Sequence, residues 1–138
     1  MAELSTVTVA EVAPEGDWIC PGGDTDDIEF RTVGLNDAYS DAQAAKHRRL
    51  AKAYEGDIGR VPTHLLRKAN MEALLQHCVS GVRNLTQGGV EVAWDDAKAM
   101  LFDPKRKPLA EGAFKAARIA ADRRVADLAE AEGNSAQS

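Results

Sequence analysis

His77 and Cys78 are the side chains in this chain best suited to hold a metal, and His64 lies 13 positions upstream of His77. Adjacent residues of a helix point about 100° apart, so His77 and Cys78 cannot easily share one ion. The only other cysteine is Cys20, and no Cys pair at zinc-site spacing exists. No metal site is predicted. The run Gly23-Asp24-Thr25-Asp26-Asp27-Ile28-Glu29 has the look of a calcium loop. Such a loop needs an oxygen ligand at its fifth position and glycine at its sixth, where this chain has Ile28 and Glu29. An acidic turn is the simpler account.

Asp95 and Asp96 are paired carboxylates, the residue type of acid–base hydrolysis. Standing before Ala97-Lys98-Ala99-Met100-Leu101, they are explained by capping and the positive end of a helix. Neither a glycine-rich phosphate loop nor a nucleophile–His–acid ordering stands out. The expectation is a protein that is not an enzyme and needs no cofactor. Two basic clusters remain. Lys46, His47, Arg48, Arg49 and Lys52 crowd one segment, and Lys105, Arg106 and Lys107 another. Such clusters hold phosphates, dock an acidic protein partner, or simply face solvent.

The elements that would position these groups are mostly helical. The 138 residues fit one domain, and 44% of them are hydrophobic against 5% aromatic, so the core must rest on Ala, Leu and Val. Residues 1–27 read as an extended acidic arm. Ser5-Thr6-Val7-Thr8-Val9 is a weak strand, and Ile28 to Val33 alternates as a second one paired with it. Asn36 caps a first helix that runs to about Glu55. Pro62 opens a second, whose stripe of Met71, Leu75, Cys78, Val82 and Leu85 is widened by Leu66, Leu74 and Val79. That helix is the expected centre of the core. Gly88-Gly89 makes a turn and Val90-Glu91-Val92 a short extended piece. A third helix runs from about Asp95 to Phe102, capped by Asp95 or Asp96 and stapled by Trp94, and Pro104 stops it. A fourth runs from about Pro108 to Glu130 on a stripe of Phe114, Ala117, Ala121, Val125 and Leu128. The fold class is therefore mainly α: a small helical domain of about four helices over residues 28–132, with a short β-like N-terminal arm and a disordered polar tail at 133–138.

Charge is unevenly spread. Residues 1–30 carry eight acids and no Lys or Arg, residues 31–70 carry eight Lys and Arg against four acids, and the net charge is −5. The acidic arm and the basic middle suit each other within one molecule or between copies, which makes a homo-oligomer one expectation and plain solubility the other. A pI near 5.2 makes nucleic acid an unlikely partner. Met1-Ala2-Glu3-Leu4-Ser5 lacks the start of a secretion signal, and no run approaches the ~18–20 apolar residues of a membrane span. A reduced, cytoplasmic protein is expected.

Two neighbouring pieces carry a family resemblance. One runs from Leu74 through Gly81-Val82-Arg83-Asn84-Leu85, the Gly88-Gly89 turn and Val92-Ala93-Trp94-Asp95 to Leu101-Phe102-Asp103-Pro104. The other is the helix from Phe114 to Gly133-Asn134. Together they resemble the tail assembly chaperones of long-tailed bacteriophages. In that family a helix is followed by x-L-x-x-G, a V-P-F/Y-S start and an E-N-A-x-x-L-L-x-D-P helix, and a charge-rich helix closes with E-x-G-N. Here Val92-Ala93-Trp94-Asp95 replaces the V-P-F-S type of start, Asp96-Ala97 replaces E-N-A, and Gly81-Val82 stands where the family often has Gly-Trp. Including the strand Ile28-Glu29-Phe30-Arg31, the resemblance covers about two-thirds of the chain.

The resemblance implies a non-enzymatic protein of the infected host's cytoplasm. It would coat the long helical tape-measure protein, keep it soluble and hand it to the tail-tube protein. It also implies that a longer, frameshifted product exists beside this shorter one. Partner contacts are expected at Trp94 and Phe102, beside an apolar surface between helices two and four, and on the basic face Lys46, Arg48, Arg49 and Lys52. Two other functions fit the same sequence: a structural virion component such as a head–tail connector or minor tail protein, and a small nucleic-acid-binding regulator.

Overall fold

Asn36 shows how this chain starts its helices. Its side-chain oxygen accepts a hydrogen bond from the Tyr39 backbone N–H at 2.8 Å, and α1 (Asp37–Lys52) follows. The computed structural model describes residues 16–137. Within them β1 (Asp17–Ile19) and β2 (Glu29–Thr32) precede α1. After it come α2 (Thr63–His77), β3 (Val79–Arg83), β4 (Thr86–Gln87), β5 (Val90–Glu91), α3 (Trp94–Leu101) and α4 (Lys107–Gln137). The protein is mainly helical, and its short strands form two small sheets.

The first sheet is antiparallel in the order β1-β2-β3. Phe30 faces Ile19 on one side and Val82 on the other. The strand expected at residues 28–33 is thus present as β2, but its partner is Asp17–Ile19. Ser5 to Val9 lie outside the described residues. The chain from Gly16 onward is built into the body: Ile19 is buried, and Thr25 packs where the 3₁₀ turn Gly23–Thr25 meets α4.

Helix two is shorter than its apolar periodicity predicts. α2 ends at His77, and Val79 to Arg83 form the third strand instead of two more helical turns. Two features explain the switch. Gly81 is a poor helix former, while Val79 and Val82 favour strands. The open edge of β2 also offers backbone partners that a longer helix would leave unpaired. The side chains expected in the core divide accordingly. Leu74 and Cys78 are buried, whereas Leu75 and Val82 are half-buried and pack against the core from its edge.

The remaining elements fall close to their expected places. α1 ends three residues early, and Glu55 and Gly56 take positive φ to turn the chain. Gly88 and Gly89 both have positive φ and form the two-residue turn between β4 and β5. α3 begins at Trp94, not Asp95, and no side chain caps it. Asp95 and Asp96 lie inside its first turn, where they complement the helix dipole. α4 begins at Lys107 and runs past the expected end near Glu130 to Gln137, through most of the segment expected to be disordered.

The core sits where α4 crosses the sheet. Phe30, Leu74 and Val79 are its largest fully buried apolar side chains, and Ala113, Ala116 and Ala117 line the helix against them. Gly112 permits the approach: a methyl group there would stand 2.7 Å from Thr25 Cγ2 and 3.5 Å from Phe30 Cε2. The Leu35 N–H reaches the Ala117 carbonyl at 3.2 Å, tying the chain before α1 to the middle of α4. On the opposite face of the sheet, Trp18 lies under the guanidinium groups of Arg31 and Arg83, 4.9 and 4.4 Å from the ring centre.

Candidate functional site

A concavity of about 580 Å³ lies between α2 and α4. Its two walls are built the same way. α2 supplies His64, Arg67, Lys68 and Met71, and α4 supplies Lys107, Ala110, Glu111 and Phe114. Each set has the spacing i, i+3, i+4, i+7 and so occupies one helical face. The end of α3 closes the groove with Leu101, Phe102, Asp103 and Pro104.

The floor is apolar and the rim is charged. Met71 and Leu101 are buried at the base, and Phe114 packs edge-on against Tyr39 with ring centres 6.4 Å apart. Phe102 stands at the mouth with 40% of its surface in water. Around it the permanent cations Arg67, Lys68 and Lys107 outnumber the acids Asp103 and Glu111. Asp103 is partly spent, because it accepts the Lys105 backbone N–H and lies 3.6 Å from Arg106. A groove with an apolar floor and a cationic rim suits a partner surface with apolar side chains flanked by acids.

The wall formed by α2 is rigidly placed. Asn70 Oδ1 accepts from Gln43 Nε2 at 2.9 Å and lies 2.8 Å from His47 Nε2, so α1 braces α2 through a polar bridge. At the other end Asn36 donates through its amide to the His77 carbonyl at 3.2 Å. Cys78 lies beside this junction, and burial pushes its thiol pKa up to about 11 against weaker opposing effects of Asn36 and Arg124. Tyr39 is also raised, mainly by burial. These groups stay neutral at physiological pH and serve packing.

The residues singled out in the sequence separate in space. Phe102 lines the groove and Trp94 does not. Trp94 is half-buried against the core, with Lys98 Nζ 6.0 Å from its ring centre. Lys46 and Arg49 border a second, smaller hollow of about 200 Å³ between α1 and α2, together with Leu50, Leu65, Lys68, Ala69 and Glu72. Lys46 pairs with Glu72 there at 3.9 Å. Arg48 and Lys52 are exposed outside both hollows. Lys68 borders both, so the basic face of α1 and the large groove meet across α2.

Sequence reasoning missed Arg67, Lys68 and Lys107 as a set. Their helical spacing was visible, but nothing in it says that the two faces oppose each other. His64 lines the groove, while the His77 carbonyl is engaged by Asn36. Among the described residues no three His, Cys, Asp or Glu side chains are grouped to hold a metal, and no helix is long and apolar enough to cross a membrane. Compared with known proteins, the chain matches no protein-family model, no curated protein and no solved structure.

Proposed function

We propose that this protein is a phage tail assembly chaperone that holds amphipathic helices of the tape-measure protein in the groove between α2 and α4 and recruits tail-tube protein during tail assembly. The observation that carries this reading is the groove itself. Its base of Met71, Leu101 and Phe114 is apolar, Phe102 stands exposed at its mouth, and its rim is cationic. A space of about 580 Å³ takes a few large side chains from one face of a partner helix. A chaperone that must later be displaced needs shallow, reversible contacts repeated in many copies. The family resemblance supplies the identity of the partner. In this reading the protein is non-enzymatic, uses no cofactor and works in the host cytoplasm.

Co-expression with tape-measure fragments tests it. The wild type is expected to keep fragments soluble and to co-purify with them. Phe102→Asp, a change at the groove mouth where 40% of the residue is in water, is expected to lose both while remaining folded. A wild type that neither solubilises nor binds any fragment sinks the chaperone reading. If Phe102→Asp binds as well as wild type and Trp94→Ala does not, the function stands and the groove is the wrong surface. Purified virions separate the structural alternative, since a connector would be present there in fixed copy number and a chaperone absent.

A further inference from the structure

The rim of the groove differs between its two sides, and its charge does not end where the groove ends. On the α4 side Lys107 and Glu111 stand one helical turn apart and offset each other. On the α2 side Arg67 and Lys68 are both exposed, and among the described residues neither is in an ion pair. Lys68 stands on the crest of α2. It borders the groove together with Arg67, and on the other side of the helix it borders the smaller hollow with Leu65 and Ala69. Across that hollow Lys46 is engaged by Glu72 at 3.9 Å, but Arg49 is exposed and in no ion pair among the described residues. Three cations without a carboxylate, Arg67, Lys68 and Arg49, thus step over α2 from the groove to α1. The two helices pack directly against each other. Their axes are therefore about 8–10 Å apart, a crossing of roughly three extended residues at ~3.3 Å each.

We propose that this step is the second half of the docking surface. The groove takes an amphipathic helix whose acidic flank faces α2, and an acidic extension of the same segment crosses α2 to Arg49. Charge complementarity chooses this occupant. An apolar helix without acids would fill the groove and leave the three cations unanswered. A nucleic acid would meet the cations through its phosphates but leave the apolar base of Met71, Leu101 and Phe114 unused. Only a protein segment with apolar residues on one face, acids on one flank and an acidic run beyond them uses both. The inference rests on the groove as a helix-docking surface, and not on the tape-measure protein as its occupant.

Fluorescence anisotropy of labelled peptides on the full chain tests it, at about 50 mM and about 500 mM salt. The probe is a designed helix with leucines at i, i+3, i+4 and i+7, glutamates along one flank and a four-glutamate extension. Its control has glutamines in the extension. The glutamate probe should bind at least about fivefold tighter than the control at low salt, and the gap should close at high salt. Arg49→Glu, at an exposed position, should abolish the preference while leaving the control within about twofold, and a lysine extension should restore tight binding to that variant. Arg67→Glu and Phe102→Asp should weaken both probes. No binding of the glutamate probe at about 1 mM overturns the proposal. So does equal affinity for the two probes, or an Arg49→Glu variant that weakens both alike. A poly-dT strand that displaces the glutamate probe at lower concentration than unlabelled probe overturns it in favour of nucleic acid. If tape-measure fragments bind through Phe102 while the two probes bind alike, the proposed function stands and this inference falls. If the probes behave as expected and no fragment binds, the inference stands and the proposed function falls.

Discussion

The two halves of α4 belong to one helix and have opposite surroundings. From Leu109 to Ala117 the helix presents Ala113, Ala116 and Ala117 to the sheet with no exposed surface at all. From Asp122 to Glu130 the helix has two alanines and five charged residues, every one of these positions is exposed, and the Arg124 guanidinium reaches back to Gly34. Helix propensity is high in both, so propensity accounts for the helix but not for what it does. In the near half, small side chains are a steric requirement, because the helix lies on Phe30, Thr25 and the Ala117–Leu35 hydrogen bond. In the far half no buried contact among the described residues constrains them. The near half is architecture and the far half is surface.

The largest expected effect breaks the near half from beneath. Leu74→Ala empties space under α4 and should cost about 2–5 kcal/mol in urea unfolding, whereas Leu128→Ala should change a dilute monomer by less than about 0.5 kcal/mol. Leu75, central to the expected stripe, is only half-buried and should cost less than Leu74. Equal costs at Leu74 and Leu128 would erase the distinction between the halves.

Overpacking sharpens it next. Gly112→Ala drives a methyl to 2.7 Å from Thr25 Cγ2, and Ala116→Leu inserts a larger side chain at a fully buried position. Each should destabilise by about 1–3 kcal/mol in thermal unfolding, while Ala126→Leu in the far half should be neutral.

Cys78 extends the comparison to pH. Its thiol is held up to about 11 in the folded protein, above its ordinary value of 9.0. The neutral thiol is therefore favoured by folding. Its contribution is fully present below about pH 9 and is lost as pH rises through about 11, by on the order of 2 kcal/mol. Denaturation midpoints should fall across that window, and Cys78→Ala should flatten the fall. Exposed Cys20 should react with a thiol reagent in the native state while Cys78 stays protected. A smaller effect is expected at Asn36, which caps α1 and holds the end of α2: Asn36→Ala should cost about 1 kcal/mol by the same denaturation measurement.

Much of this fold is legible locally. Asn36 before Asp37, Gly88-Gly89 between two β-branched runs, and Pro104 after Phe102 each act over a few residues, and each stands where its chemistry places it. The candidate groove was half legible. Phe102 and an apolar surface between helices two and four were expected from the family resemblance. The cationic rim of Arg67, Lys68 and Lys107 could not be named, because it joins residues some forty positions apart. Trp94 does not line the groove; it packs against the core, as a residue stapling the start of α3 does.

By itself the sequence determined the helices, their starts and turns, and the mainly apolar stripes, because those depend on backbone hydrogen bonds and side-chain spacing within a few residues. Only the tertiary structure decided which stripe positions are covered. Val79 to Arg83 carries apolar residues at a spacing that serves a helix, yet it became a strand because β2 offered an unpaired edge. Val125 and Leu128 carry the same periodicity as Ala117 and remained in water because the sheet ends before it reaches them. Periodicity states that a face is apolar; burial also needs something to lie against it, and that partner is set by contacts far away in the chain.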